Sequence, residues 1–340
     1  MKTKLIGGVV VFVIALGFTG YALGFFGKHE SPTQMLSKAF SADQYSDKSA
    51  VATIDIKKKK LASDTTYSDL GDFTVNISQK VNKENLAESS AKISFDGYAL
   101  MNDSGSPFSK IDVAGDMLMA NKVFYIRATK IPASLYFGIT GMSNIKDKWW
   151  SVDLVSMARQ FGGEDKAKEI QTYFDNAFAK KDEDMKAISS IFEKNNFVVN
   201  PVFTNTETIN GHSVKDISFT INKKILVDFL YNLGLYENKK NNVSVTDEKL
   251  AAQKDSTSKL LDSVTFAPIV VGISPDDYHI YKISSSIEAK DPSYNPNDPS
   301  AFEVINANFS ATYDYTTPIV IDVPTDSQPI EMLLSQIFGR

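Results

Sequence analysis

Ala91-Lys92-Ile93-Ser94-Phe95-Asp96-Gly97-Tyr98-Ala99-Leu100 decides the fold class. Up to Phe95 the apolar side chains fall on odd positions and the polar ones on even positions. That period of two describes a strand with one dry face and one wet face. At Gly97 the phase flips, and Tyr98 and Leu100 carry the apolar side. A one-residue slip at a glycine predicts a β-bulge there, and with it the bent strand that a curved sheet needs.

The pattern extends both ways. Upstream, Ala52-Thr53-Ile54-Asp55-Ile56 is apolar on even positions and Asp72-Phe73-Thr74-Val75-Asn76-Ile77-Ser78 on odd ones. The basic run Lys57 to Lys60 between them reads as a solvated strand end and hairpin. Downstream, Asn102 to Pro107 has turn composition. Ile111, Val113, Met117 and Met119 then alternate with Asp112, Ala114 and Asp116, and Val123 to Ala128 is apolar on both faces, as in a covered strand. Connections this short make the strands neighbours in an antiparallel meander.

Lys148-Trp149-Trp150-Ser151-Val152-Asp153-Leu154 ends the meander and holds both tryptophans. After Gly162-Gly163 the period becomes helical: Ile170, Phe174, Ala177, Phe178, Met185, Ile188 and Phe192 form one stripe over 164–192. Asn210-Gly211 signals a hairpin. A helix from Lys223 to Leu233 is expected to end at Gly234, with Glu237–Asn242 as a loop. Thr246 can cap a further helix to about Val264. Strands are expected at Pro268–Ile273, Tyr278–Ile287 and Phe302–Tyr315, with a closing edge strand at Thr317–Pro324 bounded by prolines and a short helix from Ile330. Before the first strand, Ser31-Pro32-Thr33-Gln34 has the form of a capping box with proline at the first helical position.

Leu5 to Phe26, at the amino terminus, contains no charged residue. About 20 apolar residues span a bilayer core as a helix. Lys2 and Lys4 before the run place the N-terminus in the cytoplasm and the body outside. A cleaved signal peptide competes with this, but the run is long for one and Tyr21-Ala22-Leu23-Gly24 is a poor cleavage site. The expected layout is a membrane anchor at 1–28 and one extracytoplasmic domain at 29–340. Two separate domains would explain the two hairpin-rich halves as well; a single curved sheet leaves fewer edges. The expected class is α+β: a curved antiparallel half-barrel sheet with helices packed on its concave face, preceded by one N-terminal transmembrane helix.

A net charge of −5 argues against nucleic acid as a partner. With no cysteine there is no disulfide, thiol nucleophile or thiolate metal site. The three histidines, at 29, 212 and 279, lack metal-binding spacing, and no phosphate loop, dinucleotide fingerprint or nucleophile elbow occurs. No catalytic residue, cofactor or metal is therefore expected. A cleft joining His212 or His279 to a serine and a carboxylate would revive a hydrolase reading. Asp291, Asn295, Asn297 and Asp298 offer oxygens to calcium, but at the irregular spacing of a proline-rich loop. Four glycosylation sequons occur, at Asn76, Asn102, Asn242 and Asn308. The remaining candidate is apolar. Phe95, Tyr98, Met117, Met119, Phe124, Trp149 and Trp150 are the residues expected at a seam between sheet and helices, where Met and aromatic side chains adapt to greasy ligands. Each taken singly is equally well a core residue.

The order of elements resembles the LolA-like/LppX-like superfamily of envelope proteins. The resemblance rests on Lys148 to Leu154, on Ile209-Asn210-Gly211-His212-Ser213-Val214 and on Ile321-Asp322-Val323-Pro324, and as an architecture it covers roughly Ser31 to Asp326. It implies a half-barrel of about eleven strands plugged by helices, with lipid or lipoprotein acyl chains bound in the cavity. This chain departs from that pattern in lacking an acylated cysteine, so a protein helix would have to be the tether. The expected function is a membrane-anchored extracytoplasmic binding protein for a lipid, acyl chain or other apolar ligand, without covalent chemistry. The alternative is a tethered envelope interaction module without a ligand cavity.

Overall fold

The computed structural model describes residues 31–43, 46–82, 88–100, 110–132, 145–179, 181–240, 244–290, 294, 295, 297 and 303–333. The expected span at 5–26, the sequons Asn102 and Asn242 and most of the 291–299 loop lie outside them. No helix among the described residues is long and apolar enough to cross a membrane.

In chain order the elements are α1 (Pro32–Asp43), β1 (Lys48–Lys59), β2 (Ser68–Lys80), β3 (Ser90–Leu100), β4 (Lys110–Ala120), β5 (Val123–Lys130), β6 (Trp150–Val152), α2 (Leu154–Ala179), α3 (Lys181–Lys194), β7 (Val198–Ile209), β8 (His212–Ile221), α4 (Lys223–Lys240), α5 (Asp247–Asp262), β9 (Val264–Phe266), β10 (Ile269–Ile273), β11 (Ile280–Lys290), β12 (Val304–Asp314) and β13 (Gln328–Pro329). The class is mixed α+β with antiparallel pairing throughout the long strands, as the alternation requires. The chain divides into two compact units, each drawing on separate stretches: Met1–Tyr45, Ile56–Ser68 and Lys180–Asp314 in the first, Ser46–Asp55, Asp69–Ala179 and Tyr315–Arg340 in the second.

In the first unit the strand order is β12-β11-β10-β8-β7, with β9 on β11. Along β12, Ile305, Ala307, Phe309, Ala311 and Tyr313 are buried on one face, as the period predicts. The helix α1 starts with the expected capping box: Gln34 N–H donates to Ser31 Oγ at 3.3 Å and Ser31 N–H donates to Gln34 Oε1 at 2.9 Å. It packs on β7, β10 and β11. Leu226, Val227, Phe229 and Leu261 from α4 and α5 form a core with Ile191, Phe192, Phe197, Ile221 and Phe266. Phe192 and Phe197 meet edge to face with ring centroids 5.3 Å apart. Asn210 and Gly211 both have positive φ, 49° and 83°, as a two-residue hairpin turn demands.

The helix α4 does not end at Gly234; it runs on to Lys240 and absorbs most of the expected loop. Leu235 and Tyr236 stay partly buried beyond the glycine, so packing outweighs the stop signal. Thr246 caps α5 as expected.

In the second unit the order is β13-β6-β5-β4-β3-β2, with the first part of β1 beside β2. The bulge expected at Gly97 is absent: β3 pairs without a break with β2 and with β4 through Asp96, Gly97 and Tyr98. The apolar phase changes there, but the backbone does not. A Cβ at Gly97 would lie 2.3 Å from Asp72 O and 2.5 Å from Phe73 Cδ1. The glycine is needed because Phe73 lies across it. The register shift in this meander falls instead between Ala114 and Gly115, against β5. The closing strand expected at 317–324 is also absent; that stretch is non-regular, and only Gln328–Pro329 pairs, in parallel with β6. Two prolines deny the stretch ladder donors. The helix α2 is kinked at Gly163 (φ 80°), where the sequence places a break.

Candidate functional site

Registers in the second unit settle which side chains share a face. Val75, Phe95, Gly115 and Ala128 stand opposite one another on β2 to β5. The next row on that face is Ile77, Ile93, Met117, Ile126 and Trp150, and the one after it is Gln79, Ala91, Met119, Phe124 and Val152. With strands about 4.8 Å apart, these rows cross the unit from β2 to β6 over roughly 19 Å. The face is apolar except at Gln79.

Five of the seven expected site residues are therefore brought together: Phe95, Met117, Met119, Phe124 and Trp150. Tyr98 and Trp149 are not. Tyr98 pairs with Asp72 and Asp112 on the opposite face and lies under the Lys110 ammonium, 4.5 Å from the ring centroid. Trp149 lies 4.6 Å from the Arg127 guanidinium carbon, which places it with the polar face. The unbroken register at Gly97 corrects Tyr98, because alternation continues through the glycine. Trp149 is corrected because it directly precedes Trp150.

Exposure grades along the middle row. Trp150 is 1% exposed, under Ile145, Met157, Ile330 and Leu333. Met117, two strands away, is 45% exposed. The face is thus closed over β6 and open at β4. Phe95 lies flat on its neighbour: a Cβ on Gly115 would be 3.1 Å from its ring. Asp153, in the Trp-Trp motif, accepts from Val155 N–H at 3.0 Å and Ser156 N–H at 3.1 Å, capping α2 and setting Met157 over Trp150. The Ser156 hydroxyl and these amides hold the Asp153 carboxyl below its usual range.

The opposite face carries a row of Asn76, Ser94, Asp116 and Arg127. Asp116 is 7% exposed. It accepts from Ser94 Oγ at 2.5 Å and from Arg127 Nε and Nη2 at 2.9 and 2.6 Å. Burial pushes the Asp116 carboxyl up, but the Ser94 and Arg127 hydrogen bonds outweigh it and leave it below the usual range. This buried ion pair pins β3, β4 and β5 together behind the apolar rows.

The first unit holds two polar groupings. Lys282 reaches across Gly272 to Asp216 Oδ2 at 3.0 Å and also binds Glu207. Burial works against its charge, but the two carboxylates outweigh it and raise the Lys282 ammonium above its usual range. The other grouping gathers both described histidines. Asp277 accepts from Tyr281 Oη at 2.9 Å and from His279 N–H at 2.9 Å, with His279 Nδ1 and His212 Nδ1 at 3.5 and 3.7 Å from Oδ2. His212 stacks on Tyr281. Burial raises Asp277, but the hydrogen bonds lower it further, so it titrates below the usual range; burial and Asp277 together raise Tyr281. Ser274 stands beside this set, so a serine, a carboxylate and two imidazoles do converge. Ser274 is fully buried and its hydroxyl oxygen accepts from Asp276 N–H, so a substrate carbonyl could not reach it. Spacing along the chain gave no sign of this convergence, because the β10–β11 connection and the β8 start are brought together by strand pairing alone. Among the described residues no group of His, Asp or Glu is arranged to hold a metal ion.

No family model matches the chain, and no curated protein matches it either. Solved structures do. LprF from Mycobacterium bovis is 11% identical, with 86% of this chain and 96% of that one covered and a TM-score of 0.33. The lipoprotein LppX from Mycobacterium tuberculosis is 12% identical, covering 87% and 100%, with a TM-score of 0.32. A LolA superfamily protein from Nitrosomonas europaea is 10% identical, covering 87% and 96%, with a TM-score of 0.18. Likeness of this extent bears on neither ligand nor activity.

Proposed function

We propose that this chain is a membrane-anchored extracytoplasmic binding protein that holds a lipid acyl chain or other apolar ligand on the second unit's apolar face, without covalent chemistry. One observation carries the reading. Rows of Phe, Ile, Met and Trp side chains cross β2 to β6, covered at Trp150 on β6 and open at Met117 on β4. A large apolar face left partly open marks a binding surface. Met at the open position suits a ligand of variable shape. The uncharged run from Leu5 to Phe26, with lysines before it, supports the anchor and the orientation.

The full-length chain, purified and extracted with organic solvent, is expected to yield co-purifying lipid by mass spectrometry. Met117→Lys places a charge at the open position with little effect on folding, because the side chain is already half in water. It is expected to lower bound lipid at least about fivefold, as a charge facing an apolar ligand costs more than 1 kcal/mol. Equal lipid in both proteins, or none in either, would sink the proposal in favour of a module that binds another protein.

A further inference from the structure

We propose that Ile319-Val320-Ile321-Asp322-Val323 is a docking edge for a second copy of this chain, which pairs with it antiparallel about a twofold axis at Ile321. The stretch alternates like a strand, yet the fold leaves it single: none of residues 319–323 joins a ladder or a turn among the described residues. Val320 is 77% exposed and Val323 36%, while Ile319 and Ile321 are half-buried. A β-branched run with unspent backbone donors and acceptors is a template for another strand. The free edge of β7 is no such template, because Asn200 at φ 52°, Pro201 and two breaks in register guard it.

The prolines select the partner. In an extended stretch, successive residues turn their N–H and C=O to opposite edges. Pro318 and Pro324 fall in phase with Val320 and Asp322. Their missing donors blunt that edge and leave the edge of Ile319, Ile321 and Val323 complete. The prolines are also symmetric about Ile321. A second copy laid antiparallel there brings Ile319 opposite Val323 and Ile321 opposite its counterpart, each pair exchanging both bonds, with every proline at a position that needs no donor. Those pairs are β-branched on the half-buried side. On the other side Asp322 meets Val320, so like charges never face. A peptide of unrelated sequence needs none of this symmetry; a copy of the same stretch does. The ladder is far smaller than the roughly 800 Å² per partner of a stable complex, so the pair is short-lived and has to be trapped.

The chain has no cysteine, so a single introduced thiol reports one position. Full-length Ile321→Cys, Ile319→Cys and Val323→Cys are oxidised with copper phenanthroline and read by non-reducing electrophoresis. In this register the Cα atoms of Ile321 and its counterpart lie about 5.5 Å apart, within disulfide reach. Ile319 and its own counterpart lie about 14 Å apart, outside it. Ile321→Cys is expected to give about tenfold more covalent dimer than either other variant alone, and a mixture of Ile319→Cys with Val323→Cys to recover about half of that yield. Because a substituted chain could fail to fold, hydrogen exchange of the wild type is the second readout. The amides of Ile319, Ile321 and Val323 are expected to slow as protein concentration rises, and those of Val320 and Asp322 to stay unchanged. Equal trapping in all three variants, no trapping in any, or exchange that ignores concentration or alternation would overturn the proposal and leave the apolar-face reading standing.

Discussion

Asp116→Asn is the sharpest probe of what holds the apolar rows in place. The substitution keeps the shape of the side chain and removes its charge, so no cavity is made. Arg127 loses a two-pronged, charge-assisted partner at 2.9 and 2.6 Å. Breaking a fully buried ion pair costs about 3–5 kcal/mol. The Arg127 side chain is 31% exposed, so water recovers part of that, and about 2–3 kcal/mol is expected here. Urea unfolding of the full-length chain, followed by tryptophan fluorescence, measures it, because Trp149 and Trp150 both belong to the second unit. The pH dependence gives an independent check. The folded carboxyl titrates below its unfolded value of about 4, so its contribution is complete above that value and is lost as pH falls through the lower folded one. The gap between wild type and variant should hold from about pH 8 to pH 5 and narrow as pH falls below about 4. A gap under about 0.5 kcal/mol at neutral pH, or one that does not narrow as pH falls below about 4, would refute the claim that this pair organises the strands.

Two further outcomes follow from the same geometry. Gly97→Ala should destabilise the second unit by about 3 kcal/mol, since the new Cβ meets the Asp72 carbonyl oxygen at 2.3 Å and backbone cannot step aside; a shift in urea midpoint worth under about 1 kcal/mol would show that Phe73 can move away. Asp277→Asn should cost about 1–2 kcal/mol at neutral pH through weakened bonds from Tyr281 and His279. Because the Asp277 carboxyl is also lowered in the fold, that difference should shrink progressively as pH falls below about 4, and thermal unfolding by circular dichroism across pH reads it.

The long strands and their faces were legible because alternation is a local signal. Period puts Phe95 on the odd positions of its strand and Met117 and Met119 on the odd positions of theirs, but strand register is what sets them on one face with Phe124 and Trp150. Tyr98 could not be placed by period, since a polar-to-apolar switch at Gly97 has two physical sources, a bulge or a change in what the face meets. The sequence favours the first, and the register shows the second. The same limit applies to Gly234, a helix stop by composition that packing carries the helix past.

The amino-acid order by itself determined the antiparallel α+β class, the capping box at Ser31, the hairpin at Asn210-Gly211 and the uncharged amino-terminal run, because each depends on residues a few positions apart. Only tertiary structure decided that Ser94, Asp116 and Arg127 share one row, that Asp277 gathers His212 and His279, and that Ile330 and Leu333 cover Trp150. Those groups are joined by strand register and by chain returning from far along the sequence, and no local preference encodes which distant residue will stand opposite.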